Sequence, residues 1–211
     1  MIRITLAAAL VSLASSAAAQ TAPQAAASPR AADQMAQQCE LHIWPAERLK
    51  GHAFAMGQIT GRASGEEIEG AMTDLLDPTA QLGALRELDL MSALGLPADT
   101  KLIEHLEPLD RKTVNKVKTR RASSASQCYS ELIIVEHKLT EDIVWGDRFQ
   151  SSFAFRDFGD KAEVRTQVRG KGGNKLKILT LPETDRPADA VELVAAAVRG
   201  NFQEFARRVR R

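Results

Sequence analysis

The stretch CYSELIIVEH, residues 128–137, indicates where the centre of the fold lies. Within it, Leu132–Val135 is a continuous apolar run, whereas a strand with one solvated face alternates apolar and polar residues. A continuous run is typical of a strand that has an apolar layer on each side of the sheet. We therefore predict that this stretch is a central strand, buried on both faces.

The same stretch begins with Cys128, one of the two cysteines of the chain. The other, Cys39, begins the strand-like stretch CELHIW, residues 39–44. If the two strands lie near each other with the same ends together, the two sulfur atoms meet. Two cysteines in an exported protein usually pair. We predict a disulfide between Cys39 and Cys128, and two free buried thiols are the alternative.

A metal site that includes Cys39 and His42 is a third interpretation of these residues. Successive side chains of a strand point to opposite faces, so Cys39 shares a face with Leu41 and Ile43 while His42 lies on the other face. Zinc requires three or four ligands at short paired spacings, and the chain contains neither a C-x2-C nor an H-x3-H pair. We therefore predict no metal site, and no motif indicates a cofactor.

The N-terminus has the pattern of a secretory signal peptide. Arg3 supplies a positive charge, residues 4–13 are apolar, and small residues precede a cleavage position after Ala19. The competing interpretation is a transmembrane anchor, which needs about 20 apolar residues to cross a bilayer. We therefore predict that residues 1–19 are a signal peptide and that the protein is periplasmic or secreted.

The rest of the chain has a net charge near zero, and its length is that of one domain. Removal of Arg3 leaves 27 basic and 27 acidic side chains, so no global field draws the protein to nucleic acid. Residues 20–36 are rich in Ala, Gln, Pro and Ser, and we predict a flexible linker there. Residues 37–211, about 175 in number, suffice for a single domain with a substantial core. No segment after the leader is apolar for long enough to cross a membrane.

Two helix starts follow the first predicted strand. Ser64 and Glu67 have the spacing of a capping box, and apolar residues at helical spacing come after them. Asp77 and Pro78 form a second start, because Asp is a favoured N-cap and Pro suits the first helical position. Leucines at three-residue steps continue this second pattern towards Gly95. We predict a helical pair here, followed by a short strand within residues 101–107.

A hairpin is predicted after the central strand. Residues 148–156 alternate in polarity, which indicates a strand with one buried face, and Gly159-Asp160 is a two-residue turn signal. The resulting register pairs Arg156 with Glu163, Phe155 with Val164, Ala154 with Arg165, and Phe153 with Thr166. Apolar pairs then share one face and opposite charges share the other. The glycine-rich residues 170–174 predict a further turn into a strand at 176–180.

The last predicted element is a helix that begins near Pro187. An apolar stripe at helical spacing runs along it, which indicates a helix packed on a sheet. Its residues are Val191, Val194, Val198, Phe202, Phe205 and Val209. The predicted fold is therefore one α+β domain. It has a mostly antiparallel sheet of about four to six strands, a helical pair after the first strand, and a long C-terminal helix packed on the sheet.

A basic run between the short strand and the central strand is the first candidate binding site. Its side chains could hold an anion such as a phosphate, an acidic glycan or a lipid headgroup. The run comprises Arg111, Lys112, Lys116, Lys118, Arg120 and Arg121. The competing interpretation is a solvated surface balanced by the acidic residues just before it. The run contains no aromatic residue to stack on bases, which disfavours single-stranded nucleic acid.

Acidic residues and a histidine near one end of the sheet are the only candidates for catalysis. Two carboxylates beside a histidine could perform general acid–base chemistry, so an exported hydrolase is one hypothesis. The candidate groups are Glu136, His137, Glu141, Asp142 and Asp147. The nucleophile elbow, the P-loop and the H-E-x-x-H zinc motif are all absent from the sequence. We therefore predict no specific catalytic residue.

The leading hypothesis is a non-catalytic exported protein that acts by binding or assembly in the cell envelope. The expected partner is a protein or an acidic envelope component, because the polar face of the predicted sheet is rich in basic side chains. The proposed contact residues are Arg148, Arg156, Arg165, Arg169, Lys175 and Lys177. This surface is open only if no second helix covers that face of the sheet.

Overall fold

The computed structural model describes residues 38–52, 63–141 and 146–211. The predicted signal peptide at 1–19, the predicted linker at 20–36 and the candidate residue Asp142 lie outside the described residues.

The described residues form an α+β domain with a six-stranded mixed sheet. Its strands are β1 Glu40–Trp44, β2 Leu49–His52, β3 Lys101–Glu104, β4 Tyr129–Thr140, β5 Arg148–Gly159 and β6 Thr166–Lys175. Its helices are α1 Gly65–Leu75, α2 Pro78–Arg86, α3 Leu90–Leu94, α4 Arg111–Lys116 and α5 Ala190–Val209, with 3-10 turns at Ile178–Thr180 and Glu183–Asp185. The sheet order is β3-β1-β4-β5-β6, and β2 pairs with β4 beyond the end of β1.

The predicted central strand is confirmed as β4. It lies parallel to β1 and β2 on one side and antiparallel to β5 on the other. Leu132, Ile133 and Ile134 have no exposed surface. Leu132 and Ile134 belong to the main core, while Ile133 packs with Trp44 and Val114 on the opposite face. The apolar run is continuous because each face of this strand meets a separate apolar layer.

The helices differ from the predicted pair in position and number. The chain forms β2 before them, so they do not directly follow the first strand. Ser64 makes the predicted capping box with Glu67, and the Asp77 side chain accepts a hydrogen bond from Ala80 N. The second helix stops at Arg86, because Asp89 caps a separate short helix that ends at Gly95 in the left-handed conformation.

The C-terminal helix packs on the sheet as predicted. The rings of Phe202 and Phe205 lie 5.6 and 5.3 Å from the ring of Phe153 between centroids. Val198 and Val194, about one and two turns before Phe202, have no exposed surface. Val191 is 56% exposed, so the predicted apolar stripe is wrong at its first residue. The helix therefore covers the phenylalanine face of β5 through its middle and C-terminal turns.

The predicted hairpin register is wrong by four residues. Phe155 pairs with Val168, not with Val164, and Asp157 pairs with Thr166. β5 continues to Gly159, and Glu163 in the following loop forms an isolated bridge with Thr119 instead. Because the error is an even number of residues, the side chains that belong to β6 keep their predicted face of the sheet, whereas residues 163–165 lie in the loop before it.

The glycine-rich residues 170–174 are part of β6 and not a turn. A Cβ atom on Gly172 would lie 2.0 Å from the carbonyl oxygen of Asn201 in α5, and one on Gly170 would lie 3.1 Å from the ring of Phe205. The glycines therefore allow the helix to approach the backbone of an edge strand. The predicted strand at 176–180 is replaced by a 3-10 turn.

We expect Gly172→Ala to destabilise the protein by about 2–3 kcal/mol, because the new methyl group must displace α5 from the sheet. Gly83→Ala is the matched control, since a Cβ there meets no heavy atom within 4 Å. In that helix the same change should stabilise the protein by about 0.5–1 kcal/mol. Urea unfolding measures both, and equal effects of the two variants would contradict the close approach of helix and strand.

Candidate functional site

The face of the sheet opposite α5 carries the polar side chains, and we call it the second face. On β5 it presents Arg148, Gln150, Ser152 and Ala154, and on β6 their partners Lys175, Gly173, Lys171 and Arg169. The segment between β3 and β4, residues 105–127, includes α4 and covers the part of this face near the start of β4, where Val114 and Ala122 pack on Ile133 and Ala154. The described residues leave the remaining part open, and the candidate site lies there.

The covered part of the second face contains a buried ion network. Glu131 and Arg156 have no exposed surface. Glu131 Oε2 lies 2.7 Å from Arg121 Nη1 and 3.7 Å from Arg156 Nη1. Arg156 Nη1 also donates to the carbonyl of Val117 at 3.0 Å. The prediction that Arg156 belongs to an open partner surface is therefore wrong, because the covering segment encloses it.

Burial, together with the like charge of Arg121, lowers the pKa of Arg156 to about 10. The guanidinium therefore remains protonated at neutral pH and needs the carboxylate of Glu131. The network joins the covering segment, through Arg121 and the carbonyl of Val117, to Glu131 of β4 and Arg156 of β5.

Two members of the predicted anion-binding run have structural roles. Arg120 donates to the carbonyl oxygens of Gly159 and Ser126 at 2.7 and 3.0 Å, and its guanidinium lies 4.9 Å from the ring centroid of Tyr129. Arg121 is held by Glu131. The basic run therefore does not form a single anion site. Its exposed members are Arg111, Lys112, Lys116 and Lys118.

A cleft of about 320 Å³, which we call the basic cleft, extends from the open part of the second face to Arg208 of α5. Four cationic side chains from α4, β6 and α5 line it, and no acidic residue does. Its lining consists of Arg111, Asn115, Val135, Ser152, Phe153, Arg169, Gly170, Lys171 and Arg208. The cleft brings together Arg111 from the predicted anion-binding run and Arg169 from the predicted partner surface.

The charges of the basic cleft are only partly compensated. Arg111 Nη1 lies 3.4 Å from Glu136 Oε2, and Arg208 Nη2 lies 3.6 Å from Glu204 Oε1. Arg169 Nη1 donates at 2.7 Å to the amide oxygen of Asn115, which is a neutral acceptor. Among the described residues, no carboxylate lies within ion-pair distance of Arg169 or Lys171.

The other predicted partner residues lie partly on the second face and partly in the loops beyond the strands. Arg148 and Lys175 are exposed on the second face beside the cleft. Arg165 lies in the loop between β5 and β6 and forms an ion pair with Asp157. Lys177 is exposed after the end of β6. Lys171 and Arg208, which line the cleft, were not among the predicted residues, although the alternation of Arg169 and Lys171 along a strand indicates a shared face.

Two histidines that are isolated in the sequence meet in the structure. β1 and β3 are parallel neighbours, and His42 Nδ1 lies 2.9 Å from His105 Nε2. His42 Nε2 lies 3.2 Å from Glu40 Oε2, and Trp44 stacks on His105 at 4.1 Å between ring centroids. Burial and the nearby His42 lower the pKa of His105. In the described part of the chain, no group of three or more potential ligands has the arrangement of a metal site.

The predicted acid and histidine cluster does not assemble in the described residues. Glu136 lies on the second face, with Arg48 Nε at 3.3 Å from its Oε2. The adjacent His137 points to the opposite face and has no exposed surface. Its Nδ1 lies 2.9 Å from Ser151 Oγ. Asp147 is buried and accepts a hydrogen bond from Thr180 Oγ1 at 2.7 Å.

His137 and Ser151 have the separation of a serine–histidine pair but belong to the helix–sheet contact. Asn201 of α5 donates to Ser151 Oγ at 3.0 Å, and Asn174 Nδ2 donates to Asn201 Oδ1 at 2.9 Å. Asn201 and Ser151 have no exposed surface either. The interaction therefore ties the C-terminal helix to the sheet, and no solvent or substrate reaches the hydroxyl in this structure.

Burial lowers the pKa of His137 from 6.5 to about 3, so the folded protein holds this imidazole neutral. Below pH 6.5 the unfolded chain takes up a proton that the folded chain does not. We expect this residue to reduce the free energy of unfolding by about 1.4 kcal/mol per pH unit as the pH falls below that value. Urea unfolding at pH 7, 6 and 5 measures the slope. His137→Gln should show a smaller slope, and an equal slope would contradict the buried neutral imidazole.

The predicted disulfide is present. Cys39 and Cys128 immediately precede the parallel strands β1 and β4, and their Cα atoms lie 4.7 Å apart. The bridge therefore joins the same ends of two neighbouring strands, as the sequence predicts. A disulfide of this kind suggests an oxidising, exported location. None of the helices in the described ranges combines the length and the apolar character that a membrane crossing requires.

Comparisons with known proteins add little to these observations. No family model matches the chain, and no curated protein matches it. A solved structure of the hypothetical protein CT253 from Chlamydia trachomatis is similar at 13% sequence identity, with a TM-score of 0.33. That alignment covers 82% of this chain and 93% of the other.

Proposed function

We propose that the protein is exported to the periplasm or the cell exterior and acts there by binding, without catalysis. The signal-peptide pattern, with cleavage after Ala19, and the Cys39–Cys128 disulfide support the location. The observation that carries the binding role is the open basic part of the second face. Its exposed cations include Arg148, Arg169 and Lys171.

The partner in this proposal is a protein or another component of the envelope with an acidic surface. The net charge of the whole chain is only +1, so the cations of the second face are a local concentration and not a general excess. A local basic surface selects a partner by complementary charge and increases the rate of encounter. The linker predicted at residues 20–36 would give the domain freedom to reach such a partner.

The hydrolase hypothesis has less support. Glu136 and His137 point to opposite faces of the sheet, and His137 is completely buried. General acid–base catalysis requires groups within hydrogen-bond reach of a substrate. The described members of the acid and histidine cluster share none of the clefts that are described for this structure.

Crosslinking in intact cells followed by affinity recovery tests the binding role. We expect the double variant Arg169→Glu, Lys171→Glu to recover its main crosslinked partner at less than a third of the wild-type yield, since two attractive charges become repulsive. Lys161→Glu is the control, because its side chain is exposed in the loop between β5 and β6, outside the basic cleft. Unchanged partner recovery by the double variant would reject the proposal.

A further inference from the structure

We propose that the basic cleft binds a single phosphoryl group. This tetrahedral oxyanion is a more specific ligand than the acidic partner surface of the proposed function. The proposal rests on the proposed binding function and adds the chemistry of the ligand. It starts from the four cations that α4, β6 and α5 direct into one small cleft: Arg111, Arg169, Lys171 and Arg208.

The first argument is the position of Arg169 within the cleft. Its guanidinium is held by neutral amides, because Asn115 Oδ1 accepts from Nη1 at 2.7 Å. The amide oxygen of Gln167, once turned towards the guanidinium, accepts from Nη2 at 2.9 Å. An arginine has five N–H donors, so donors on both terminal nitrogens remain available. The guanidinium is therefore fixed in place, and no carboxylate of the described residues compensates its positive charge.

The second argument is the approach of Arg208 to the strand. A Cβ atom on Gly170 would lie 3.3 Å from both Cδ and Nη1 of Arg208. The absence of a side chain at Gly170 thus lets the arginine of α5 lie against the backbone of β6 between the positions of Arg169 and Lys171, which line the same cleft. Cations that line one cleft repel one another, and a bound anion relieves that repulsion.

The third argument concerns size and shape. A cleft of about 320 Å³ lies at the lower end of the range for small-molecule sites, which is roughly 300–1,000 Å³. Donors reach the cleft from three elements, and the Ser152 hydroxyl is a further polar group in its lining. A phosphoryl group accepts hydrogen bonds from several directions and carries up to two negative charges, whereas a carboxylate is planar and carries one. Arginine side chains also match phosphoryl oxygens in pairs.

Titration calorimetry of the full chain with inorganic phosphate, at constant ionic strength, tests the site. We expect saturable binding with one phosphate per chain. Arg169→Gln combined with Lys171→Gln should weaken it at least tenfold, and Arg111→Gln, which changes a different element, should weaken it severalfold. The control pair Lys101→Gln and Lys161→Gln lies outside the cleft and should leave the affinity within twofold. No saturable binding, or an equal loss in the control pair, would overturn the proposal.

A second measurement distinguishes a free phosphate from a lipid headgroup. Cosedimentation with vesicles of phosphatidylglycerol in phosphatidylcholine, compared with pure phosphatidylcholine, shows whether the site takes a phosphodiester at a membrane. Binding that inorganic phosphate displaces assigns the headgroup as the source, and phosphate binding without vesicle binding assigns a soluble phosphoryl compound. If phosphate does not bind while the glutamate variant still loses its crosslinked partner, the phosphoryl proposal fails and the proposed binding function stands.

Discussion

Glu131→Gln is expected to lower the free energy of unfolding by about 3–5 kcal/mol, although the substitution preserves the shape of the side chain. Glu131 and Arg156 have no exposed surface, and the side chain of Arg121 is 6% exposed. The amide removes the only negative charge of this network and leaves two buried guanidiniums without a counter-ion. Urea unfolding with linear extrapolation measures the loss.

An exposed ion pair in the same region provides the control. Arg165 pairs with Asp157, and its side chain is 60% exposed. Arg165→Gln should therefore leave the free energy of unfolding close to the wild-type value, since exposed ion pairs contribute little to stability. If the two variants lost similar stability, the covering segment would not exclude water from Glu131, and the second face would be more open than the structure shows.

Removal of the disulfide is the second change with a large expected effect. The bridge joins residues separated by 89 positions in the sequence. In the chain-entropy model, closure of a loop of this length stabilises the folded state by about 4–5 kcal/mol, because it restricts the unfolded chain. We expect the double variant Cys39→Ala, Cys128→Ala to lose an amount of that order in urea unfolding.

Reduction supplies the matched comparison for this variant. Wild-type protein in excess reductant should unfold at the same urea concentration as the double variant, and reductant should not change the variant further. A thiol titration of the unfolded, unreduced protein checks the bridge itself. Two free thiols per chain would refute it, and so would identical stability of the wild-type protein with and without reductant.

The parts of the fold that were predictable from the sequence depend on local signals. The continuous run Leu132–Val135 identified the central strand, and the cap residues Ser64 and Asp77 identified two helix starts. The alternation of side chains along the strand at residues 39–44 placed Cys39 and His42 on opposite faces. Each of these inferences needs only neighbouring residues, because strand alternation and helix capping act over a few positions.

The errors arose where a distant segment competes with a local signal. Glu163 pairs with Thr119 and not with Arg156, so the turn signal at Gly159-Asp160 did not decide the register. The glycines of β6 resembled a turn signal, but they allow the close approach of α5, whose contact residue follows about 30 positions later in the sequence. Local alternation placed Arg156 on the polar face of the sheet, and it gave no sign that a separate segment covers that residue.

The candidate site was only partly predictable for the same reason. Arg111 and Arg169 were each predicted as binding residues, but in two different sites. Their meeting depends on where α4 lies on the sheet, and nothing local in the sequence determines that position. Lys171 and Arg208 add to the site only after β6 and α5 are placed side by side.

The position of β1 has a consequence for the order in which the protein folds. β1 is early in the chain but lies in the interior of the sheet, between β3 and β4, and both of these neighbours are parallel to it. Parallel pairing across such separations is slow, whereas the antiparallel strands β4, β5 and β6 and the helix α5 are consecutive and make short-range contacts. The C-terminal half can thus fold as one unit once its chain is complete. β1 must then pair with β4 across the long segment that separates the two strands. Until that happens, an edge of β4 stays exposed and can pair with another chain.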